Sequence, residues 1–190
     1  ATAFLEGGRW KLYLQGLGTT LELTVVALIF GVLLGLVVAV VRSAHDQQRI
    51  GRKNPVLGIL NILCQIYTTV IRGTPMLVQL MIVYYVLFGK GGFTAPKFML
   101  FGFISGEHLI PGIIALSLNS GAYVAEIVRA GIQGIDYGQT EACRSLGMTK
   151  FQNMRYIVLP QAIKNILPAI ANEFVTIIKE SSICSVVGMQ

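Results

Sequence analysis

At 190 residues the chain is the length of one domain, but 54% of it is apolar and only 13% charged, where about 25% charged is usual for a soluble domain. With a mean hydropathy of +0.67, that much apolar surface cannot be hidden in a globule. This excludes a soluble fold and predicts an all-α integral membrane protein, one transmembrane domain covering 1–190. The net charge of +6 is dispersed between apolar blocks, so it reads as positive-inside topology and excludes a nucleic-acid surface.

Residues 1–15 read as an amphipathic lead-in, with Trp10 and Tyr13 suited to an interface. Leu23 to Val41 gives 19 uncharged residues, about 28 Å of helix and a first span. Its Gly31 and Gly35 form a G-x-x-x-G pair, which reads as close helix packing. No cleavable signal peptide is evident, because this first block is long enough to span by itself. Arg42 to Asn54 carries Arg42, Arg49, Arg52 and Lys53 against Asp46, which predicts a cytoplasmic loop and an external N-terminus.

Pro55 to Gly89 is apolar apart from Arg72 and too long for one straight crossing. Its weak point is Gly73-Thr74-Pro75. Counting back from Phe88 puts Arg72 about one turn inside the cytoplasmic face and Gln79 near mid-depth. Residues 89–109 read as an external loop, with a short interfacial piece at 98–103. A third span begins near Ile110, with Asn119 at its middle and Glu126 about one turn from the cytoplasmic face. A fourth, about 160–178, is the least apolar, carrying Lys164 near its start and Glu173 inside. His45 and His108 fall in loops and read as solvated. Cys64, Cys143 and Cys184 are too few and scattered for a disulfide framework or a metal site, and read as small apolar residues.

The longest polar passage, Asp136 to Pro160, lies between the last two apolar blocks and carries Arg144, Lys150 and Arg155, which makes it cytoplasmic. It reads as two short helices joined by Gly147. Asp136 with Gln139 and Thr149 with Gln152 offer capping boxes, Gly147 suits a left-handed helix end, and Pro160 a first helical turn.

Glu141-Ala142-Cys143, Gly147 and Ile157-Val158-Leu159-Pro160 resemble the E-A-A-x3-G-x9-I-x-L-P signature of permease subunits of ABC importers. The one departure is Cys143 where alanine is usual. Arg72-Gly73-Thr74-Pro75 through Gln79, Ser117 to Gly131, Asn172-Glu173-Phe174 and Lys179-Glu180-Ser181-Ser182 are similar to the polar amino-acid branch of that family. The resemblance covers about 15–190. It implies a type I importer membrane domain of about five spans, the last apparently missing here, which suggests a C-terminus that is truncated or not fully observed. It also implies a multi-pass location in the bacterial cell membrane.

There is no G-x-x-x-x-G-K-[ST] loop, so the chain itself is expected neither to bind ATP nor to be an enzyme, with no catalytic or metal residues and no cofactor of its own. The resemblance implies two ATP-binding subunits carrying ATP and Mg. It further implies a second permease subunit, identical or similar, and an extracellular or periplasmic amino-acid-binding protein that delivers the substrate. The docking set is Glu141, Ala142, Cys143, Arg144, Gly147, Phe151, Leu159 and Pro160, with Leu146, Met148 and Met154 adding apolar anchorage.

The substrate-path set is Arg72, Gly73, Thr74, Pro75, Gln79, Asn119, Ser120, Tyr123, Glu126 and Glu173. Intramembrane ionisable groups face a cavity or each other. Arg72 and Glu126, at similar depth, are expected to pair or to guard the inner end of the path. The helix break would free backbone groups for a carboxylate or ammonium, and Glu173 would meet a cationic side chain. Helix–helix hydrogen bonding is the competing role for these polar groups. The rival functions are a permease for another small solute and a secondary transporter or channel, which would lack the docking segment.

Overall fold

The computed structural model describes residues 9–46, 48, 54–89, 99–100 and 104–187. The first helix, α1, runs unbroken from Arg9 to Asp46, 38 residues or about 57 Å. The lead-in from Arg9 onward and residues 42–46 of the expected loop are therefore helical, while residues 1–8 lie outside the described residues. No proline interrupts this stretch, so nothing stops the helix at Val41 where the apolar run ends. His45 accordingly lies in the last turn of α1, not in a loop.

Helix α2 (Pro55–Gly73) starts with proline in its first turn and Asn54 as cap, whose side chain accepts from the Val56 amide at 3.1 Å. It stops at the expected break, and α3 (Met76–Met81) resumes behind Pro75 and widens into a π-helical turn over Ile82–Leu87. Within the predicted external loop, Met99–Leu100 and Ile104–Ser105 form a two-residue antiparallel ladder, with Met99 opposite Ser105. The rest of the interfacial piece, and Arg49, Arg52 and Lys53, lie outside the described residues. Helix α4 (Gly106–Gln133) begins four residues before Ile110, so His108 is helical too.

Helices α5 (Tyr137–Ser145) and α6 (Lys150–Asn153) follow. A π turn over Met154–Val158 then leads directly into α7 (Leu159–Ser181) and a terminal 3-10 turn over Ser182–Val187. The second arm of the hairpin is thus not a separate short helix but the root of α7. The Leu159 amide reaches the Met154 carbonyl five residues back. This wider turn lets Pro160, which has no amide hydrogen, sit in continuous helix.

Among the described residues three helices, α1, α2 and α4, are long and apolar enough to cross a membrane. At 23 residues α7 has the length, about 34 Å, but carries Lys164, Glu173 and Lys179. Helix α4 is the hub, packed on α1, α2 and α7. One apolar cluster joins Leu23 and Ala27 of α1, Leu80 of α3, Leu116 of α4 and Ile177 of α7. A second joins Ala39, Val124, Val128, Ala162 and Ile166 nearer the hairpin. Gly31 and Gly35 set the α1–α4 spacing. A Cβ on Gly31 would stand 2.8 Å from Cβ of Ser120, and one on Gly35 2.7 Å from Cβ of Val124. That is below van der Waals contact, so only glycine lets the two backbones approach this closely. Helix α2 leaves most of its apolar surface open, as does the outer side of α1.

Candidate functional site: a docking hairpin and a polar seam

The hairpin is shaped by local chemistry. Asp136 caps α5 by accepting from the Gly138 amide at 2.9 Å. The expected box with Gln139 does not form. The Gln139 side-chain Oε1 instead accepts from Gln161 Nε2 at 2.8 Å, tying α5 to α7. Gly147 has φ +77°, and the chain leaves α5 through paired bonds, Met148 amide to Cys143 carbonyl and Gly147 amide to Arg144 carbonyl, both 3.0 Å. This 6→1 and 5→2 pairing needs a left-handed residue, which glycine supplies without strain. Thr149 and Gln152 do form a reciprocal capping box.

The result presents Leu146, 81% exposed, and Phe151, 71% exposed, on the surface of a polar hairpin, with Glu141, Ala142 and Arg144 also exposed. Cys143 turns inward and is buried, so it fits the space under α5 and not the outer surface. Met148 and Met154 are half-buried behind the anchors, and Leu159 and Pro160 are exposed on the first turn of α7.

The intramembrane polar groups form a seam, though not with the expected partners. Glu126 is taken by Arg42, whose Nη1 also donates to Thr68 Oγ1 at 3.1 Å. Glu126 lies 3.7 Å from Arg129, and Arg129 Nε and Nη2 reach Asp46 Oδ2 at 3.1 and 3.0 Å. The expected Arg72–Glu126 pair is therefore replaced by a network joining α1, α2 and α4. Arg42 reaches Glu126 because α1 continues past the point where a loop was expected. Arg72 lies one turn away, its guanidinium 5.2 Å from the centre of the Tyr123 ring.

At the break, Gln79 is buried and its Nε2 donates to the Ile71 carbonyl at 2.6 Å, the Thr74 carbonyl at 3.0 Å and Thr74 Oγ1 at 2.8 Å. The carbonyls released by Gly73-Thr74-Pro75 are thereby satisfied from within the chain. They are not held open for a ligand, as the sequence had suggested. Asn119, buried on α4, donates through Nδ2 to Glu180 at 3.2 Å. Ser120 is fully buried on the same helix, and Glu173 is buried on α7 two turns below Glu180. Glu180 was missed as a site residue. Its signal was the seven-residue spacing from Glu173, which places both carboxylates on one helix face.

Residues 54–190 match the family described as the binding-protein-dependent transport system inner membrane component. The chain is 40% identical over 174 residues to the putative glutamine transport system permease of Rickettsia felis, covering 92% of this chain and 70% of that one. It is 43% identical over 176 residues to the arginine transport system permease of Bacillus subtilis, covering 93% and 70%. A crystal structure of an amino acid ABC transporter with histidines superposes with a TM-score of 0.78 at 43% identity, covering 98% of this chain and 77% of that one. The methionine transporter in inward-facing form shares the fold alone, with a TM-score of 0.71 at 22% identity. A docking hairpin beside a polar seam, with these likenesses, places the chain in the family of binding-protein-dependent transport inner membrane components, the membrane permeases of ABC importers.

Proposed function

We propose that the chain carries a polar amino acid across the bacterial cell membrane, driven by ATP that two separate subunits hydrolyse with Mg. In this reading a second permease subunit, identical or similar, completes the path. An external binding protein delivers the substrate, the N-terminus lies outside, and the hairpin faces the cytoplasm. The observation that carries it is the exposed pair Leu146 and Phe151 on a capped, glycine-turned hairpin whose second arm is the root of α7. A force applied at Phe151 is transmitted without a joint into the helix that carries Glu173 and Glu180. The relatives named for glutamine and arginine transport support the substrate class.

Within that class, the path is assigned to the seam. Arg72 on Tyr123 is the element suited to a carboxylate, and Glu173 with Glu180, Asn119 and Ser120 suits an ammonium group. The deciding experiment is ATP-driven uptake in proteoliposomes with Glu141→Ala. Uptake is expected to fall at least about tenfold, with substrate still binding to the external receptor, since a charge-assisted contact at an interface is lost. Unchanged uptake and unchanged ATPase coupling in that variant would remove the docking role.

A further inference from the structure

Behind the hairpin lies a cleft of about 480 Å³, within the range of about 300–1,000 Å³ typical of small-molecule sites. It is walled by the end of α1, the end of α4, α5 and α6, and neither Leu146 nor Phe151 lines it. Its polar groups divide into two kinds. Arg144 and Lys150 line it and have no carboxylate partner among the described residues. Tyr137 and Thr140 add hydroxyls whose oxygens already accept, from Arg144 Nη1 at 3.5 Å and from Asn153 Nδ2 at 3.2 Å, so their protons are free to donate inward.

The other kind is acceptors. Asn153 is 8% exposed, and its Oδ1 has no hydrogen-bond partner among the described residues. Asp46 receives Arg129 and Gln133 on Oδ2 alone, leaving Oδ1 open apart from His45 at 3.9 Å. A buried amide oxygen left without a donor is costly, so a ligand that donates there is favoured. A simple anion would satisfy Arg144 and Lys150 but would neither donate to Asn153 nor suit Asp46. A molecule carrying both a carboxylate and an ammonium group matches both kinds, an acceptor for the first and a donor for the second. Ile132, Met154 and Val158 offer an apolar wall for its side chain.

We propose that this cleft is a second binding site, for a free α-amino acid taken from the cytoplasmic side. It meets the translocation seam at Asp46 and lies otherwise outside it, and it brakes the hairpin when the transported solute accumulates. A ligand bridging Asp46 of α1 to Lys150 and Asn153 of α6 ties the hairpin to the membrane helices. The lever then cannot follow the ATP-binding subunits. The chemical class of the ligand follows from the cleft. The regulatory sense rests on the importer reading given above.

The test uses the permease–ATPase complex in inside-out proteoliposomes, with L-glutamine or L-arginine added to the bath and ATP hydrolysis as readout. Binding is measured in parallel by calorimetry on the solubilised complex. In the wild type one of these amino acids is expected to bind and to slow ATP hydrolysis several-fold. Lys150→Met and Asn153→Leu should each weaken binding about tenfold and relieve the inhibition, the loss expected for one charge-assisted or buried hydrogen bond. Lys150 is exposed, so its variant tests the site even where Asn153→Leu fails to assemble.

Amino-acid binding and inhibition undiminished in Lys150→Met would overturn the proposal. So would displacement of the amino acid by inorganic phosphate, which would mark a plain anion site. If Glu141→Ala leaves uptake intact while the Lys150 and Asn153 effects on binding persist, the importer reading fails and the cleft stands.

Discussion

Arg42 of α1 and Glu126 of α4 close on one another at the hairpin end of the helices, and Arg42 is held from its other side by Thr68 of α2. Arg42 is 9% exposed, so the charge it carries is nearly desolvated. Such a pair adds little net stability over an apolar match, but removing Glu126 leaves the buried Arg42 charge with Thr68 alone, while removing Arg42 leaves Glu126 with the longer Arg129 contact at 3.7 Å. Glu126→Leu or Arg42→Met alone is therefore expected to cost about 1–3 kcal/mol, discounted because the Glu126 side chain keeps some solvent. The double variant should recover most of the loss. Thermal unfolding of the solubilised complex measures this, and additive losses in the double variant would show that the two residues act separately.

Gln79 and the helix break give a second expectation. Its amide closes the Thr74 carbonyl and adds a 2.6 Å bond to the Ile71 carbonyl, which the Thr74 amide reaches only at 3.4 Å. Gln79→Leu keeps the volume but strands the Thr74 carbonyl and leaves the Ile71 carbonyl only the longer bonds from the Thr74 amide and hydroxyl, 3.4 and 3.3 Å, at about 1–2 kcal/mol for one polar group losing its partner. The cost should appear as lower thermal stability even with no substrate present. If Gln79→Leu is as stable as the wild type but loses uptake, the amide serves the substrate and not the break.

Much of this architecture was legible beforehand. The break at Gly73-Thr74-Pro75, the Thr149–Gln152 box and the left-handed Gly147 follow from residue chemistry acting over four or five positions, and all three are present. What was not legible was set over longer range. Apolar content marked Leu23 to Val41, but a helix ends where a breaker stands, and none stands before Asp46. That extension brought Arg42 to Glu126 and displaced Arg72 onto Tyr123. Gln139 likewise had two uses, a local cap or a bridge to Gln161, and the packing of α5 on α7 decided between them. Depth counting set Glu126 beside Arg72 but could not choose its partner, because Arg42 and Arg129 also come within reach of it.

Gly147 offers a sharper test of the hairpin. A Cβ there would meet nothing within 4 Å, so any penalty is purely conformational. Gly147→Ala should cost about 1–2 kcal/mol, the strain of an L-residue held at φ > 0, and Gly147→Asn distinctly less. ATPase stimulation by the loaded binding protein should follow the same order, with Gly147→Ala more impaired than Gly147→Asn. Equal behaviour of Ala and Asn would mean that the turn is not held in the left-handed form in the assembled transporter.

Asn119 separates transport from architecture. Its amide reaches Glu180 across α4 and α7, in the stretch where Glu173 and Ser120 are also buried. Asn119→Leu removes that donor without altering any residue of the hairpin. Assembly with the ATP-binding subunits and basal ATP hydrolysis should persist. Uptake should fall at least about tenfold, since a lost hydrogen bond to a charged group is worth roughly 1.5–3 kcal/mol. Asn119→Asp sets a carboxylate against Glu180 and should be worse at neutral pH, because like charges disfavour each other in a low dielectric. Should Asn119→Leu instead lower the melting temperature while saturating uptake kinetics stay the same, the amide is a helix–helix strut and the path runs elsewhere.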